Sequence, residues 1–353
     1  MSMDKEKIKA VADRVFGDMA GAMTAGLCYV GCTTGLFAAM AGKGPMTVDE
    51  VVVASKLQPR YVDEWLRGMT ASGWLDYDPA RETFALSDEH AYFVASEGTD
   101  HYVGGLYAMA AVLLRVAPRV ARAFREGGGV PFHDYGEEGV VALDLVNRGQ
   151  YEQRFASYWL KSLPVTTNAL DNGGRALDVG CGAGRVCVAL AKAFPAAEVI
   201  GLDPDGESIE QATDAARTEG VADRVRFMPM RTDEVDRGAG FDLVTACDCI
   251  HDFAKPVETL ADVRRLLKPD GTLFIMEPKV ADRLEDNRND MAAMFYGFSV
   301  FHCMTQSLAQ GGPGLGTCMG PAKTEALVRE AGFTRFERLP IKSQSFLFYA
   351  ARG

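Results

Sequence analysis

The run Leu177-Asp178-Val179-Gly180-Cys181-Gly182-Ala183-Gly184 is the part of the sequence best suited to holding a ligand. Its alternating glycines let backbone approach closely, and a helix start supplies unpaired N–H groups. The dinucleotide pattern G-x-G-x-x-G fails here: its third glycine is Arg185 counted from Gly180, and Cys187 counted from Gly182. An acid two residues before the first glycine repels a pyrophosphate but can meet an ammonium through water. Asp178 therefore favours a cationic amino-acid nucleoside and disfavours a nicotinamide dinucleotide. Asp203, nineteen residues after Gly184, is spaced to accept from both ribose hydroxyls.

Proton transfer near neutral pH points to histidine, and the chain has five: His90, His101, His133, His251 and His302. His251 follows the apolar run Phe241–Ala246, and Asp252 beside it can orient a ring; capping or packing is the alternative role. His302 lies among Phe295, Tyr296, Phe298 and Phe301, a stripe that either packs or lines a pocket. His133 and Tyr135 follow the loop Gly127-Gly128-Gly129-Val130-Pro131 and reach a pocket or solvent; His90 receives no role. Asp248 touches a ligand or caps a helix. Cys247 and Cys249 flank it as packing residues, and Cys181 is small enough for the glycine loop. Arg148 and Arg154 either pair with a substrate carboxylate or form surface salt bridges. None of the eight cysteines forms a C-x-x-C pair, so no metal site is expected and the thiols read as reduced.

Those residues need elements to position them. From Arg175 the pattern alternates: strand Ala176–Val179, helix Val186–Phe194, strand Glu198–Leu202, helix Ser208–Glu219 and strand Val225–Met228. Strand Phe241–Ala246, helix Val257–Leu267 and strand Thr272–Met276 follow, then helix Ala322–Ala331 and strands Thr334–Leu339 and Ser345–Ala350. The alternation predicts a mostly parallel sheet with helices on both faces. Residues 280–320 are too long for a simple connection and are expected to form a lid or pocket wall. Upstream, Thr47 and Glu50 make a capping box for helix Val48–Ser55, and Pro59 starts a second helix through Met69. Short strands Trp74–Tyr77 and Thr83–Leu86 complete the order of a winged helix. Residues 96–170 read as helical apart from the triple-glycine loop. The division expected is 1–95, a winged-helix dimerisation domain; 96–170, a helical linker or substrate cap; and 171–353, the ligand-binding domain.

Charge excludes several partners. The 353 residues carry 37 basic and 48 acidic side chains, net −11, which opposes nucleic acid and anionic lipid. The winged-helix segment from Pro45 to His90 has nine acids against four bases, unlike a DNA reader. Met19–Gly42 is uncharged and long enough to span a bilayer, yet it is mostly Ala, Gly, Thr and Cys and follows a mixed-charge opening. It is expected to be a helix buried against protein, within the chain or against a second subunit, in a cytoplasmic protein with no membrane association.

Asp178–Gly184, Asp203-Pro204, Phe241-Asp242-Leu243-Val244 and Leu267-Lys268-Pro269-Asp270-Gly271-Thr272-Leu273 resemble successive motifs of class I S-adenosylmethionine-dependent methyltransferases. The chain also resembles a bacterial small-molecule subfamily with an N-terminal winged helix. That resemblance rests on Phe124-Arg125-Glu126-Gly127-Gly128-Gly129-Val130-Pro131, Ile250-His251-Asp252, His302-Cys303-Met304-Thr305, Ser307-Leu308-Ala309-Gln310-Gly311-Gly312 and Gly314-Leu315-Gly316-Thr317.

The resemblance implies an α/β, Rossmann-like seven-stranded, mostly parallel sheet with an antiparallel final strand, S-adenosylmethionine across its C-terminal edge, and a homodimer. It makes Asp178, Gly180, Gly182, Gly184, Asp203, Asp233 and Asp248 the cofactor-binding set. Asp233 replaces an acid usually found near the adenine, whose direct position holds Arg231. His251 and His302 become the catalytic candidates, and His133, Tyr135, Arg154 and Tyr296 the contacts to a small-molecule substrate. Methyl transfer to oxygen needs a base such as His251; transfer to the thioether sulfur of a methylthio-hydroxy acid needs none. A cofactor-sensing winged-helix regulator is the alternative from another class.

Overall fold

Helix α1 (Lys5–Thr33) is N-capped by Asp4, whose carboxylate accepts from the Glu6 and Lys7 N–H groups at 3.0 and 3.4 Å. The computed structural model describes residues 3–353. Only Cys28 and Gly31 of α1 are buried, while Phe16, Met19 and Met23 are 74%, 56% and 62% exposed. Within the chain, the stretch Met19–Gly42, expected to be buried against protein, is buried at Cys28, Gly31, Leu36, Phe37 and Met40. Among the described residues, two helices are long and apolar enough to cross a membrane, α1 and one that begins at Gly104, of which the second is the more buried.

The chain divides into two units, one ending at Ala111 but including Leu145–Gly149, the other made of Val112–Asp144 and Gln150–Gly353. In the first, α2 (Leu36–Met40), α3 (Val48–Ser55) and α4 (Pro59–Ala71) are followed by the antiparallel pair β1 (Asp76–Asp78) and β2 (Thr83–Ala85), then α5 (Asp88–Val94). The capping box is present: Thr47 N–H donates to Glu50 at 2.7 Å and Glu50 N–H to the Thr47 hydroxyl at 3.3 Å. Phe37 packs edge-on against Trp65 at 5.1 Å over Leu66 and Met69, all four buried.

Helix α6 (Gly104–Glu126) and α7 (Glu137–Gln150) each contribute residues to both units. A wide π-helical segment, Tyr151–Trp159, and α8 (Pro164–Asp171) lead into the sheet. Its elements are β3 (Arg175–Val179), α9 (Arg185–Ala193), β4 (Glu198–Leu202), α10 (Gly206–Thr218), β5 (Val225–Met228), β6 (Phe241–Cys247), α11 (Pro256–Leu266) and β7 (Leu267–Pro278). After it come α12 (Asp290–Phe298), the π turn Ser299–Cys303, α13 (Met304–Ala309), α14 (Pro321–Glu330), β8 (Arg335–Arg338) and β9 (Phe346–Arg352).

The seven strands lie in the order β5-β4-β3-β6-β7-β9-β8, with β9 antiparallel to both neighbours and the other pairs parallel. The expected α/β class, seven-stranded sheet and antiparallel final strand are thus observed. Alternation along β3 sends Ala176 into one apolar layer with Phe155, Trp159, Phe274 and Phe348, and Leu177 and Val179 into the other with Leu260 and Val328. Strand order reverses between β3 and β6, and at such a switch point the crevice beyond the strand ends opens for a ligand.

Candidate active site

Asp178 lies one residue from the end of β3, in register between Gly201 of β4 and Thr245 of β6. It is 2% exposed; the Thr245 hydroxyl donates to Oδ1 at 2.6 Å and the Cys187 thiol lies 3.7 Å from Oδ2. Burial pushes its carboxyl up to about 7, the direction expected of an acid awaiting a positive partner. Asp203, just past β4, accepts from Gly182 N–H at 3.0 Å and Asp205 N–H at 2.9 Å, and burial raises it to about 6. The glycine loop is thereby fastened to the next strand.

The glycines divide their labour. A Cβ on Gly184 would sit 2.7 Å from the Phe227 ring and 2.8 Å from Ala212 Cβ, so this glycine lets α9 pack. A Cβ on Gly182 would meet nothing within 4 Å, which leaves its backbone open to a ligand. A Cβ on Gly180 would sit 3.1 Å from Cys249 Cβ. Arg185, the residue that breaks the dinucleotide pattern, is ion-paired through both its forks with Asp144 (2.8 and 3.0 Å) and with Glu152 (3.3 Å).

Beyond β6 the backbone turns sharply. Asp248 has φ 59°, the left-handed region that a non-glycine residue enters only at a cost of about 1–2 kcal/mol. Its N–H donates to Met276 O at 2.8 Å. The turn delivers Ile250-His251-Asp252 as a single 3₁₀ turn. His251 is 2% exposed, and its Nδ1 lies 2.5 Å from Oε2 of Glu277, itself 3% exposed; Oε1 of Glu277 accepts from Ile250 N–H at 3.0 Å. Burial alone would depress the imidazole, but Glu277 and then Asp252 outweigh it and hold His251 well above the ordinary histidine value. Nε2 faces Asp252 Oδ1 at 3.7 Å, and the Cys303 thiol is hydrogen-bonded to the ring.

The runs that carried the resemblance converge here. Gly316 N–H donates to His251 O at 3.2 Å, the Thr317 hydroxyl to Cys303 Sγ at 3.0 Å, and the Ser307 hydroxyl to Phe253 O at 3.3 Å. Val130 N–H, from the triple-glycine loop, donates to the Thr305 hydroxyl at 3.0 Å. His302 is buried, edge-on to Tyr135 at 4.9 Å, with a depressed pKa caused by burial and with Nδ1 lacking a hydrogen-bond partner. Tyr135 is buried and donates to Phe301 O at 2.6 Å.

The other candidates differ in exposure and partners. His133 has a 79% exposed side chain beside Asp134. Arg154 is exposed on the π-helical segment and Tyr296 is 37% exposed. Asp233 is exposed and held in a two-pronged pair by Arg231 at 3.0 and 3.1 Å. Arg148 pairs with Glu97 at 3.4 Å, and the His90 N–H donates to the capping Ser87 hydroxyl at the start of α5 at 3.2 Å. Asp242 fastens the strand starts, accepting from Arg175 N–H at 2.8 Å and from Lys268 at 2.7 Å.

Two residues were missed in the sequence. Glu277 had a signal, a lone acid ending the apolar run Leu273–Met276. Tyr151 had none: it packs partly buried against the core, and burial with the fields of Cys247, Asp248 and Asp178 pushes its pKa far up.

Residues 170–326 match the model of a methyltransferase domain, and residues 22–96 that of an Rv2258c-like winged HTH domain. The chain therefore joins a methyltransferase domain to an N-terminal winged-helix domain. A ubiquinone biosynthesis O-methyltransferase from Methylococcus capsulatus is 32% identical over 102 residues, 29% of this chain and 42% of the relative. The chain spans less than half the length of such curated relatives. Among solved structures, a Nostoc punctiforme protein provisionally assigned as an O-methyltransferase superposes with a TM-score of 0.71 at 18% identity, over 100% of both chains. Human N-acetylserotonin methyltransferase, in complex with S-adenosylmethionine, gives 0.68 at 18% identity over 97% of this chain and 98% of that one. At these identities the two structures establish a shared fold.

Proposed function

We propose that this chain is an S-adenosylmethionine-dependent methyltransferase that methylates a hydroxyl of a small molecule, with His251 as the general base. The observation that carries the proposal is the buried His251–Glu277 pair at the C-terminal edge of β6 and β7, beside the strand end that holds Asp178. When bound, S-adenosylmethionine supplies an electrophilic methyl on a sulfonium and an ammonium. Asp178 is the residue to meet the ammonium, since a buried carboxylate lacking a cation is held at about 7 and gains by acquiring one. Gly182 leaves room for the ligand backbone, and Asp203 anchors the loop while keeping lone pairs for ribose hydroxyls.

Glu277 fixes the imidazole by accepting at Nδ1, which leaves Nε2 to take the acceptor's proton. With the proton held on Nε2, the acceptor oxygen would be left with a free lone pair toward the methyl that the bound sulfonium would supply. Because Glu277 holds His251 above the ordinary histidine value, the base form grows as pH rises past neutrality. His302 and Tyr135 line the acceptor side, and the protein works as a cytoplasmic dimer whose partner covers the exposed apolar residues of α1.

Product screening by mass spectrometry with labelled S-adenosylmethionine identifies the acceptor. His251→Ala should then lower kcat by about 10²–10⁴ with little change in cofactor affinity. Undiminished turnover in that variant would instead favour a sulfur acceptor, which needs no base.

A further inference from the structure

Beside the base stand donors that methyl transfer does not use. Cys303 ends the π turn Ser299–Cys303, a wide turn of the kind that gathers at functional sites, and is 7% exposed. Asp252 Oδ1 is buried and accepts no hydrogen bond. One atom each from His251, Asp252 and Cys303 lies within 4.8 Å of the others. With Nδ1 taken by Glu277, Nε2 is the His251 nitrogen left to ligate, in exchange for the ring's hydrogen bond with the Cys303 thiol. An imidazole, a thiol and a carboxylate are the donors of a borderline-soft cation and a poor set for magnesium or calcium.

We propose that His251 Nε2, Asp252 Oδ1 and Cys303 Sγ form a binding site for a divalent cation of the zinc class, whose occupancy removes the base.

Three further features fit a metal site. The Glu277 carboxylate on Nδ1 reproduces the carboxylate–histidine–metal relay that orients ligating imidazoles. The Thr317 hydroxyl donates to Cys303 Sγ at 3.0 Å, which stabilises a thiolate. Asp252 keeps 21% side-chain exposure, so the site has a route from solvent. Ligand bonds of about 2.0–2.3 Å in a tetrahedron need donors about 3.3–3.6 Å apart, so the three must close by roughly an ångström, within side-chain reach.

Charge balances as well: the aspartate and the thiolate neutralise the cation. Binding converts Cys303 S–H to a metal–sulfur bond and releases that proton, with a second proton from His251 when the ring is charged. The fourth position stays open, as in sites with three protein ligands. A metal on Nε2 occupies the lone pair that proton abstraction needs. Only this last consequence rests on the proposed function; the binding does not.

Cobalt(II) titration of the full-length protein tests the site without any methyl acceptor. The expected result is one equivalent bound, with visible d–d bands and a thiolate-to-cobalt charge-transfer band. Cys303→Ser should abolish the charge-transfer band, and Asp252→Asn should weaken binding at least tenfold. Thermal melts in chelator confirm that both variants fold. No thiolate band in the wild type, or a band that survives Cys303→Ser, overturns the site. Zinc should also inhibit methyl transfer with the dissociation constant found by chelator competition. Full activity of the zinc-saturated enzyme overturns the switch, while the cobalt spectrum still decides the site.

Discussion

Replacing Glu277 by Gln tests the organisation of the proposed base without knowledge of the acceptor. The Glu277 carboxylate lies 2.5 Å from Nδ1 of a ring that is 2% exposed. Opposite charges about 4 Å apart between their centres attract by about 4 kcal/mol at the effective dielectric that suits protein sites. Burial opposes the imidazolium; the attraction of Glu277 is the largest effect against it, followed by those of Asp252 and Cys303. Glutamine keeps the shape, so its carbonyl can still accept from Ile250 N–H while its amide faces the ring. With the carboxylate gone, burial wins and His251 should titrate below the ordinary histidine value of 6.5 instead of above it.

Stability follows with opposite signs. In the wild type the raised pKa stabilises fully below 6.5, and that contribution disappears as pH rises through the folded value. In Glu277→Gln the stability contributed by His251 falls as pH drops below 6.5. Histidine Cε1–H resonances followed by NMR against pH, assigned with His251→Gln, give the answer directly. A variant ring still titrating above 6.5 would refute the claim that Glu277 sets its charge. The amide also favours the tautomer with Nε2 protonated, so kcat should fall by about 10²–10⁴ once an acceptor is known.

Asp178→Asn should lose the calorimetric heat of S-adenosylmethionine binding yet melt several degrees higher at pH 8 when free of ligand. The folded acid is raised from 3.8 to about 7, so its contribution is lost as pH rises across that range, on the order of 4 kcal/mol, and the neutral amide escapes that loss. Gly184→Ala should destabilise by about 2–4 kcal/mol in urea unfolding, combining a positive φ of 75° with contact against Phe227. Gly182→Ala should cost only about 1–2 kcal/mol and instead weaken binding of S-adenosylhomocysteine. Asp144→Ala should destabilise by about 3–5 kcal/mol, because it strands the mostly buried Arg185 guanidinium; a loss below 1 kcal/mol would show that Glu152 suffices.

What was legible in the sequence follows the range of the physics involved. The Thr47–Glu50 box, Pro59 at a helix start and the strand–helix alternation are local signals, and each appears where residue type placed it. Asp178 and Gly182 were legible because a loop between strand and helix has few other uses for an acid and open glycines. Gly184 looked the same in sequence, but its closest demand is the Phe227 ring, 43 residues away, so its role in packing needed the fold.

The α1 apolar run shows the reverse difficulty. Composition measures how apolar a helix is and carries no record of what covers it, hence an expectation that left open burial within the chain or against a second subunit. The base and its partner fall between these cases. His251 and Glu277 are 26 residues apart, with nothing local linking them. Once β6 is known to pair with β7 in a register that sets Cys247 beside Met276, Glu277 is the next residue and His251 stands four beyond Cys247, both at one strand edge. A lone acid ending an apolar parallel strand, next to a strand that ends shortly before a histidine, is therefore a pairing that sheet order alone can reveal. Cys303 lies beyond that rule, since it reaches the pair through a π turn whose extra residue no periodicity announces.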